Sequence, residues 1–132
     1  MTKIAAKPVL FKAPVSIGSD EYTAHLSQCE WVPTQPTASF VDLDGKATPF
    51  GGSSTWALNL AGAQDWETVN SLSAFLIAHE GEEITVSADM AGGTWEAVVI
   101  AAAVNIGGQI NSPALWSKTL QSHEPTFTAS GA

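Results

Sequence analysis

The sequence predicts a mainly β fold with one flanking α-helix, arranged as a β-barrel or sandwich of about eight strands. Three observations predict this class. Apolar and polar residues alternate in several short segments, turn residues separate those segments, and only residues 64–79 show helical spacing. A chain of 132 residues with a single Cys29 is most simply one domain without an intrachain disulfide.

The N-terminal region predicts short, interrupted strands. Val9–Phe11 and Val15–Ile17 lie between prolines, which are typical of edge strands. Alternation begins again at Tyr22, and its phase then shifts so that Cys29 and Trp31 continue the apolar face. Such a shift indicates a β-bulge, and two prolines are expected to end this strand.

A glycine-rich segment follows the next strand. Residues 39–44 alternate as a strand, and Asp44-Gly45 is a turn signal. Gly51-Gly52-Ser53-Ser54 resembles a phosphate-binding loop at first sight. However, the only Gly-Lys pair lacks the P-loop spacing, and a strand rather than a helix follows the glycines. We therefore expect residues 46–52 to form a flexible loop that leads into a half-buried strand at Thr55–Leu60.

One helix is predicted from Gln64 to His79. Its apolar positions recur at helical spacing: Trp66, Val69, Leu72, Phe75 and Leu76. Asp65 and Glu67 are expected in its first turn, where the helix dipole favours acidic side chains, and Gly81 is expected to end it.

The C-terminal half predicts four more strands. Glu83–Met90 alternates cleanly, and Ala91–Gly93 form a turn. Trp95–Val104 is apolar on both faces, which indicates a central strand covered on each side. Leu115–Leu120 and Thr126–Thr128 are two short final strands.

The charge balance bears on function. Thirteen acidic residues oppose five lysines, and the net charge is −8. This balance argues against wrapping DNA or RNA, which requires basic side chains to neutralise phosphates. Only 14% of residues are charged although the chain has five tryptophans, which indicates that other protein copies cover much of its surface. No apolar run is long enough to span a bilayer, so we expect folding in the cytoplasm and no membrane partner.

The sequence contains no recognisable catalytic or metal motif. Its histidines lack metal-ligand spacing: His25, His79 and His123. Cys29 is expected to be a small buried side chain rather than a nucleophile. We therefore expect neither an enzyme nor a cofactor. Three tryptophans share the phase of their apolar neighbours, which favours the core or a subunit interface over a carbohydrate platform: Trp56, Trp66 and Trp95.

The order of elements carries a resemblance to a known family. Ser53–Leu60 follows a long glycine-containing loop, the helix begins at Asp65-Trp66, and Gly107–Pro113 closes two long strands. This order resembles the major tail protein, or tail tube protein, of long-tailed bacteriophages, over most of the chain and most clearly from Trp31 to Asn111. The resemblance implies a fold of the phage tail tube type, with hexameric rings that stack into a hollow conduit for genome delivery.

The resemblance also implies partners and a location. The partners would be further copies of the chain and other tail proteins, namely the tape measure, the terminator and the baseplate or tip. DNA would pass through without specific binding. The chain would be part of the virion tail and would be assembled in the host cytoplasm.

The resemblance divides the single tail-tube domain into functional segments. These are an N-terminal arm of about residues 1–18, a candidate inter-ring loop at 44–52, the helix at 64–79 and a C-terminal arm of about 121–132. The candidate ring-to-ring contacts are Gly45, Lys46, Ala47, Thr48, Pro49, Phe50, Gly51 and Gly52. The alternative is an ordinary mobile surface loop.

The acidity has a use in such a tube. Acidic side chains that face the bore would repel DNA phosphates and let DNA slide. The candidate lumen-facing residues are Asp42, Asp44, Asp89 and Glu96. The alternative for each is simple solvation on the outside.

Two other functions stay open. One is a ring-forming tube or terminator protein of a related injection machine, which would stop at single rings. The other is a monomeric carbohydrate-binding β-sandwich, which would display an exposed pair of tryptophans.

Overall fold

The computed structural model describes residues 2–9 and 14–129, and this part of the chain contains ten strands and one α-helix. The strands are β1 Val15–Ile17, β2 Asp20–Glu21, β3 Leu26–Thr34, β4 Thr37–Val41, β5 Ala47–Gly51, β6 Thr55–Ala63, β7 Glu83–Met90, β8 Gly93–Ile100, β9 Leu115–Ser122 and β10 Thr126–Ala129. The helix, α1, is Leu72–Ala78. The predicted class, mainly β with one helix, is confirmed. Of the predicted strand Val9–Phe11, Val9 is irregular and the other two residues lie outside the described part.

Eight of the strands form one antiparallel sheet with the order β2-β1-β7-β8-β9-β6-β3, and β10 pairs with β8. This sheet has two halves that are barely joined. β8 and β9 meet only at their ends, through the Val99–Ser122 pair and a hydrogen bond from the His123 amide to the Val98 carbonyl. Side-chain packing between the halves must therefore supply most of their attachment.

The core lies between the inward faces of the two halves and the helix. Leu58 of β6, Val86 of β7 and Leu120 of β9 are fully buried, and α1 adds Leu72 and Leu76. Burial of Leu58 confirms the period of two that predicted β6. Removing a buried leucine side chain of this kind typically costs about 2–5 kcal/mol of folding free energy.

A β-bulge interrupts β3 between Leu26 and Gln28, near the predicted phase shift. Gly62 of β6 lies opposite this bulge. A Cβ on Gly62 would lie 3.1 Å from the carbonyl carbon of His25 and 3.3 Å from the Cα of Leu26, and nearer still to the His25 carbonyl oxygen. Glycine is therefore needed where these two backbones approach closely.

The ends of β3 differ from the prediction. A 3₁₀ turn at Thr23–His25 occupies the predicted beginning of the strand. At the other end, β3 runs through Pro33 to Thr34. Because β3 is the last strand of the sheet and pairs only with β6, a proline there removes no second ladder of hydrogen bonds.

The predicted helix is too long by two turns. The Asp65 carboxylate accepts hydrogen bonds from the backbone amides of Glu67 and Thr68, at 3.0 and 3.1 Å, and so forms a turn instead of a helix. Hydrogen bonds from Thr68 are the main cause that lowers the pKa of this carboxyl. Asn70 has a left-handed φ of 63°, and the Ser71 hydroxyl then caps α1 by accepting from the Ala74 amide at 3.4 Å.

Two apolar residues of the predicted helix lie outside α1. Trp66 and Val69 are 48% and 84% exposed, so they do not belong to the buried helix face. Their spacing matched the helical period by coincidence. Asp65 and Glu67 likewise precede the helix rather than lying in its first turn.

The predicted strand Trp95–Val104 is also shorter than expected. β8 ends at Ile100, and residues 101–109 are irregular. The strand is central, since β7 lies on one side and β10 and β9 lie on the other. No helix in the described residues is long and apolar enough to cross a membrane.

Candidate assembly surfaces

The predicted inter-ring loop is a β-hairpin. Residues 47–51 form β5 and pair with β4, with Phe40 opposite Thr48 and Ala38 opposite Phe50. Both strands are exposed along their whole length. The expectation of a flexible loop at 46–52 was wrong, because backbone pairing with β4 orders a segment that has no apolar alternation of its own. The hairpin is an arm that projects from the end of the β3–β6 pair.

The tip of the arm is a tight turn fixed by one carboxylate. Asp42 Oδ1 accepts hydrogen bonds from the amides of Asp44 and Lys46, each at 2.9 Å. Gly45 takes a φ of 86°, as the predicted Asp44-Gly45 turn requires. Leu43 at the tip is fully exposed, with a relative exposure of 107%.

Glycine and serine at 52–54 form the bend between β5 and β6. The Gly52 amide donates to the Pro36 carbonyl at 2.9 Å, and Gln35 Nε2 donates to the Gly52 carbonyl at 3.0 Å. A Cβ on Gly52 would lie 2.9 Å from Pro36 Cγ. The glycine therefore permits a close crossing of two chain segments, and the phosphate-loop interpretation has no structural basis here.

The arm exposes apolar side chains that a monomer would normally bury. Phe40 and Phe50 are 61% and 58% exposed and lie on one face of the hairpin. Val41 is 60% exposed on the opposite face. With Leu43 at the tip, apolar side chains are thus exposed on both faces and at the end of the arm. Such surfaces mark sites of protein–protein contact or membrane contact.

The four predicted acidic residues lie in two separate places. Asp42 and Asp44 are in the turn of the arm, where the Asp42 carboxylate is engaged by the backbone. Asp89 of β7 and Glu96 of β8 are exposed on the outward face of the sheet. Thr94 Oγ1 donates to Asp89 Oδ1 at 2.7 Å. The structure thus brings together the second pair but not all four.

Two further exposed acidic residues, one in each half of the sheet, were not identified from the sequence. Glu83 of β7 is exposed in the same alternation as Asp89, and Glu30 of β3 pairs with Asn59 on β6. Beside Glu30, on the outward face of the β3–β6–β9 half, Thr119 Oγ1 donates to Asn59 Oδ1 at 2.8 Å. Strand alternation could have identified both, since Glu83 shares the phase of Asp89 and Glu30 lies between the apolar Cys29 and Trp31.

The tryptophans divide between the core and an open cavity. Trp116 is buried, and its indole nitrogen donates to the Ala63 carbonyl at 3.2 Å. Trp31, Trp56 and Trp95 are half-buried and line a cavity of about 350 Å³. Trp66, which was expected in the core or at an interface, lies in the exposed turn before α1.

The remaining titratable side chains offer little chemistry. Cys29 is buried, as predicted, and burial raises the pKa of its thiol to about 12, so it is protonated at neutral pH. His79 Nδ1 lies 2.6 Å from Glu82 Oε2 in an exposed pair. Within residues 2–9 and 14–129 there is no group of three side chains placed to hold a metal ion.

No protein-family model and no curated protein matches this sequence. Solved structures share its fold. It aligns with the sheath/tube terminator of an extracellular contractile injection system, named PVC, over 96% of this chain and 100% of that chain, with a TM-score of 0.65 and 15% identity. It aligns with the tube-terminating cap of the anti-feeding prophage over 98% and 97% of the two chains, with a TM-score of 0.66 and 14% identity.

A third likeness comes from a different kind of particle. A chain from the virion of a native gene transfer agent aligns over 87% of this chain and 95% of that chain, with a TM-score of 0.58 and 19% identity. The fold is thus shared, over nearly the whole chain, with proteins of tail-like particles. This agrees with the fold type that the resemblance implied.

Proposed function

We propose that the chain is a structural, non-catalytic subunit of a phage-like tail, in which hexameric rings stack into a hollow conduit for DNA. The shared fold carries this proposal, because it spans most of the chain in proteins from three tail-like particles. In this role the chain acts in the virion tail, contacts the tape measure, terminator and baseplate or tip, and is assembled in the host cytoplasm.

Two surfaces of the monomer support assembly. Within the described part of the chain no strand pairs with the outer edge of β3, which is nine residues long, and such an edge can pair with another chain. The arm of β4 and β5 exposes phenyl rings that a solitary protein has no reason to present. Ring and inter-ring contacts would cover both surfaces, with residues 45–52 of the arm among the ring-to-ring contacts.

The outward face of the sheet supports an acidic bore. In its β7–β8 half this face carries Asp89 and Glu96 together with Glu83. Small polar and acidic side chains in this arrangement repel phosphate and offer DNA no base-reading contacts. Asp42 and Asp44 lie at the tip of the arm, and we still predict that they face the bore.

A terminator is the second candidate. Two of the aligned structures are a sheath/tube terminator and a tube-terminating cap, and both alignments cover at least 96% of each chain. A terminator would form single rings and would not polymerise.

Negative-stain electron microscopy of the purified protein, dilute and concentrated, separates these functions. We expect hollow rods with a regular axial repeat from a tube subunit. Isolated rings at every concentration would favour the terminator. Monomers that neither assemble alone nor add to isolated tail tips, and that bind polysaccharide in a glycan screen, would contradict both.

A further inference from the structure

An apolar cavity opens near the base of the arm. It has a volume of about 350 Å³, and Glu30 is the one charged residue of its lining. The other lining residues are apolar: Cys29, Trp31, Trp56, Met90, Trp95 and Pro125. Sites that receive apolar groups usually begin at about 300 Å³. The cavity is thus large enough for aromatic side chains, and the described residues leave it open.

The walls of the cavity come from both halves of the sheet. β3 and β6 supply Trp31 and Trp56, while β7 and β8 supply Met90 and Trp95. The Trp31 indole donates to Ser122 Oγ at 3.2 Å. On the other wall the Trp95 ring packs on Phe127, with ring centroids 5.0 Å apart. Because these contacts already fix the rings, little side-chain freedom is lost when a partner enters.

The same chain carries a surface that matches this cavity. Phe40 and Phe50 are diagonal neighbours on one hairpin face, since Phe40 lies opposite Thr48 and Phe50 opposite Ala38. Diagonal pairs of this kind are about 7–8 Å apart. A phenylalanine side chain offers roughly 200 Å² of surface, so at about 60% exposure the two rings leave roughly 240 Å² uncovered.

That area is suited to the centre of an interface. A standard interface buries about 800 Å² on each partner, with an apolar centre and a polar rim. The two rings would supply roughly a third of this area. The exposed Thr48, which lies opposite Phe40 on the same face, would supply part of the rim.

We infer that the Phe40–Phe50 pair of one copy inserts into the tryptophan cavity of a second copy. The hairpin is held as an extension of β3 and β6 by the bonds between Gly52, Pro36 and Gln35, which would have to break if the arm folded back into its own cavity. The contact is heterologous, because the donor and the receptor are different surfaces. Repetition of such a contact closes rings or propagates stacks. This inference rests on the proposed function as an assembling subunit.

Mixing two defective variants tests the inference. Phe40→Ser/Phe50→Ser removes the phenyl rings of the donor surface. Met90→Glu places a charge in the cavity, which is the receptor surface. Val41→Ser is the matched control on the other hairpin face. We expect each defective variant alone to associate roughly 30-fold more weakly than the wild type, the loss typical of a central interface residue. The control should assemble normally.

A heterologous contact makes a specific prediction for the mixture. Met90→Glu retains a donor, and the double serine variant retains a receptor, so an equimolar mixture should form dimers and stop there. Size-exclusion chromatography with light scattering measures this. Normal assembly of the double serine variant would overturn the inference while leaving the tube function intact. Circular dichroism checks that Met90→Glu folds.

Photocross-linking provides a test that does not require assembly. Benzoylphenylalanine in place of Phe40 is irradiated in a mixture of isotope-labelled and unlabelled protein. We expect cross-links between copies, at Met90 or its neighbours in the cavity. Cross-links elsewhere, within one copy only, or none at all would overturn the inference. Cross-links at the cavity from a protein that forms neither rings nor rods, even on tail tips, would contradict the tube function instead.

Discussion

Replacing Gly62 with alanine should destabilise the fold far more than an ordinary glycine substitution does. The added Cβ would meet backbone atoms of His25 and Leu26 at 3.1 and 3.3 Å, and the His25 carbonyl oxygen nearer still. Backbone atoms cannot rotate away as a flexible side chain can. β6 is also held on both sides, by β3 and β9.

The expected magnitude follows from this geometry. Overpacking typically costs about 1–3 kcal/mol of folding free energy. Because the atoms in the way belong to the backbone, we expect Gly62→Ala to cost about 3 kcal/mol, at the upper end of this range. Gly81 provides the matched control, since its φ is 84° and nothing lies within 4 Å of a Cβ there. Gly81→Ala should cost only the strain of the left-handed conformation, about 1 kcal/mol.

Urea unfolding of the monomer, followed by tryptophan fluorescence, measures both changes in the free energy of unfolding. The total for a domain of this kind is about 5–15 kcal/mol, so a loss of about 3 kcal/mol is readily resolved. Gly62→Ala could instead prove no more destabilising than Gly81→Ala, which would refute a steric role for Gly62. That outcome would mean that β3 and β6 can separate at the bulge without cost.

Three other predictions concern the helix, the buried thiol and the bore. Leu76→Ala should lower the free energy of unfolding by about 2–5 kcal/mol, because Leu76 is buried. Val69→Ala should change it by less than about 0.5 kcal/mol, because Val69 is exposed. Equal losses from the two variants would indicate that Val69 is packed on a longer helix, as the sequence predicted. Burial raises the pKa of the Cys29 thiol from its ordinary value of 9.0 to about 12. The stability that the buried thiol contributes is therefore complete below pH 9.0 and is lost as the pH rises towards about 12. The wild type should therefore lose more stability than Cys29→Ala across that range, and parallel pH profiles would contradict this. Asp89→Lys/Glu96→Lys should leave tubes intact by microscopy but slow DNA release, and normal ejection kinetics would count against an acidic bore.

The strands with apolar alternation could be predicted from the sequence. β6 and β7 were found because Leu58 and Val86 belong to clean periods of two. β5 was missed because it is exposed on both faces and includes Pro49, so only its pairing with β4 reveals it. The helix was extended too far because a period cannot show that Asp65 turns the backbone.

The candidate surfaces depend more strongly on tertiary structure. The candidate inter-ring segment at 44–52 is part of a hairpin, and the apolar face of that hairpin includes Phe40, which lies on the strand before the segment. The cavity could not be predicted, since it depends on how two barely joined half-sheets bring Trp31 and Trp56 near Trp95. Sequence periodicity assigns a face to each tryptophan, and only the strand order decides which of them meet.

The length of the arm has a geometric consequence for any assembly that uses it. Five residue pairs extend beyond the bend at Gly52, and at about 3.3 Å per residue they reach roughly 17 Å from the body of the protein. A copy that receives the phenyl rings must lie within this distance of the donor's β3 and β6. The lengths of β4 and β5 then limit the distance between neighbouring copies. In a tube built in this way, the axial repeat would depend on the number of residues in this hairpin.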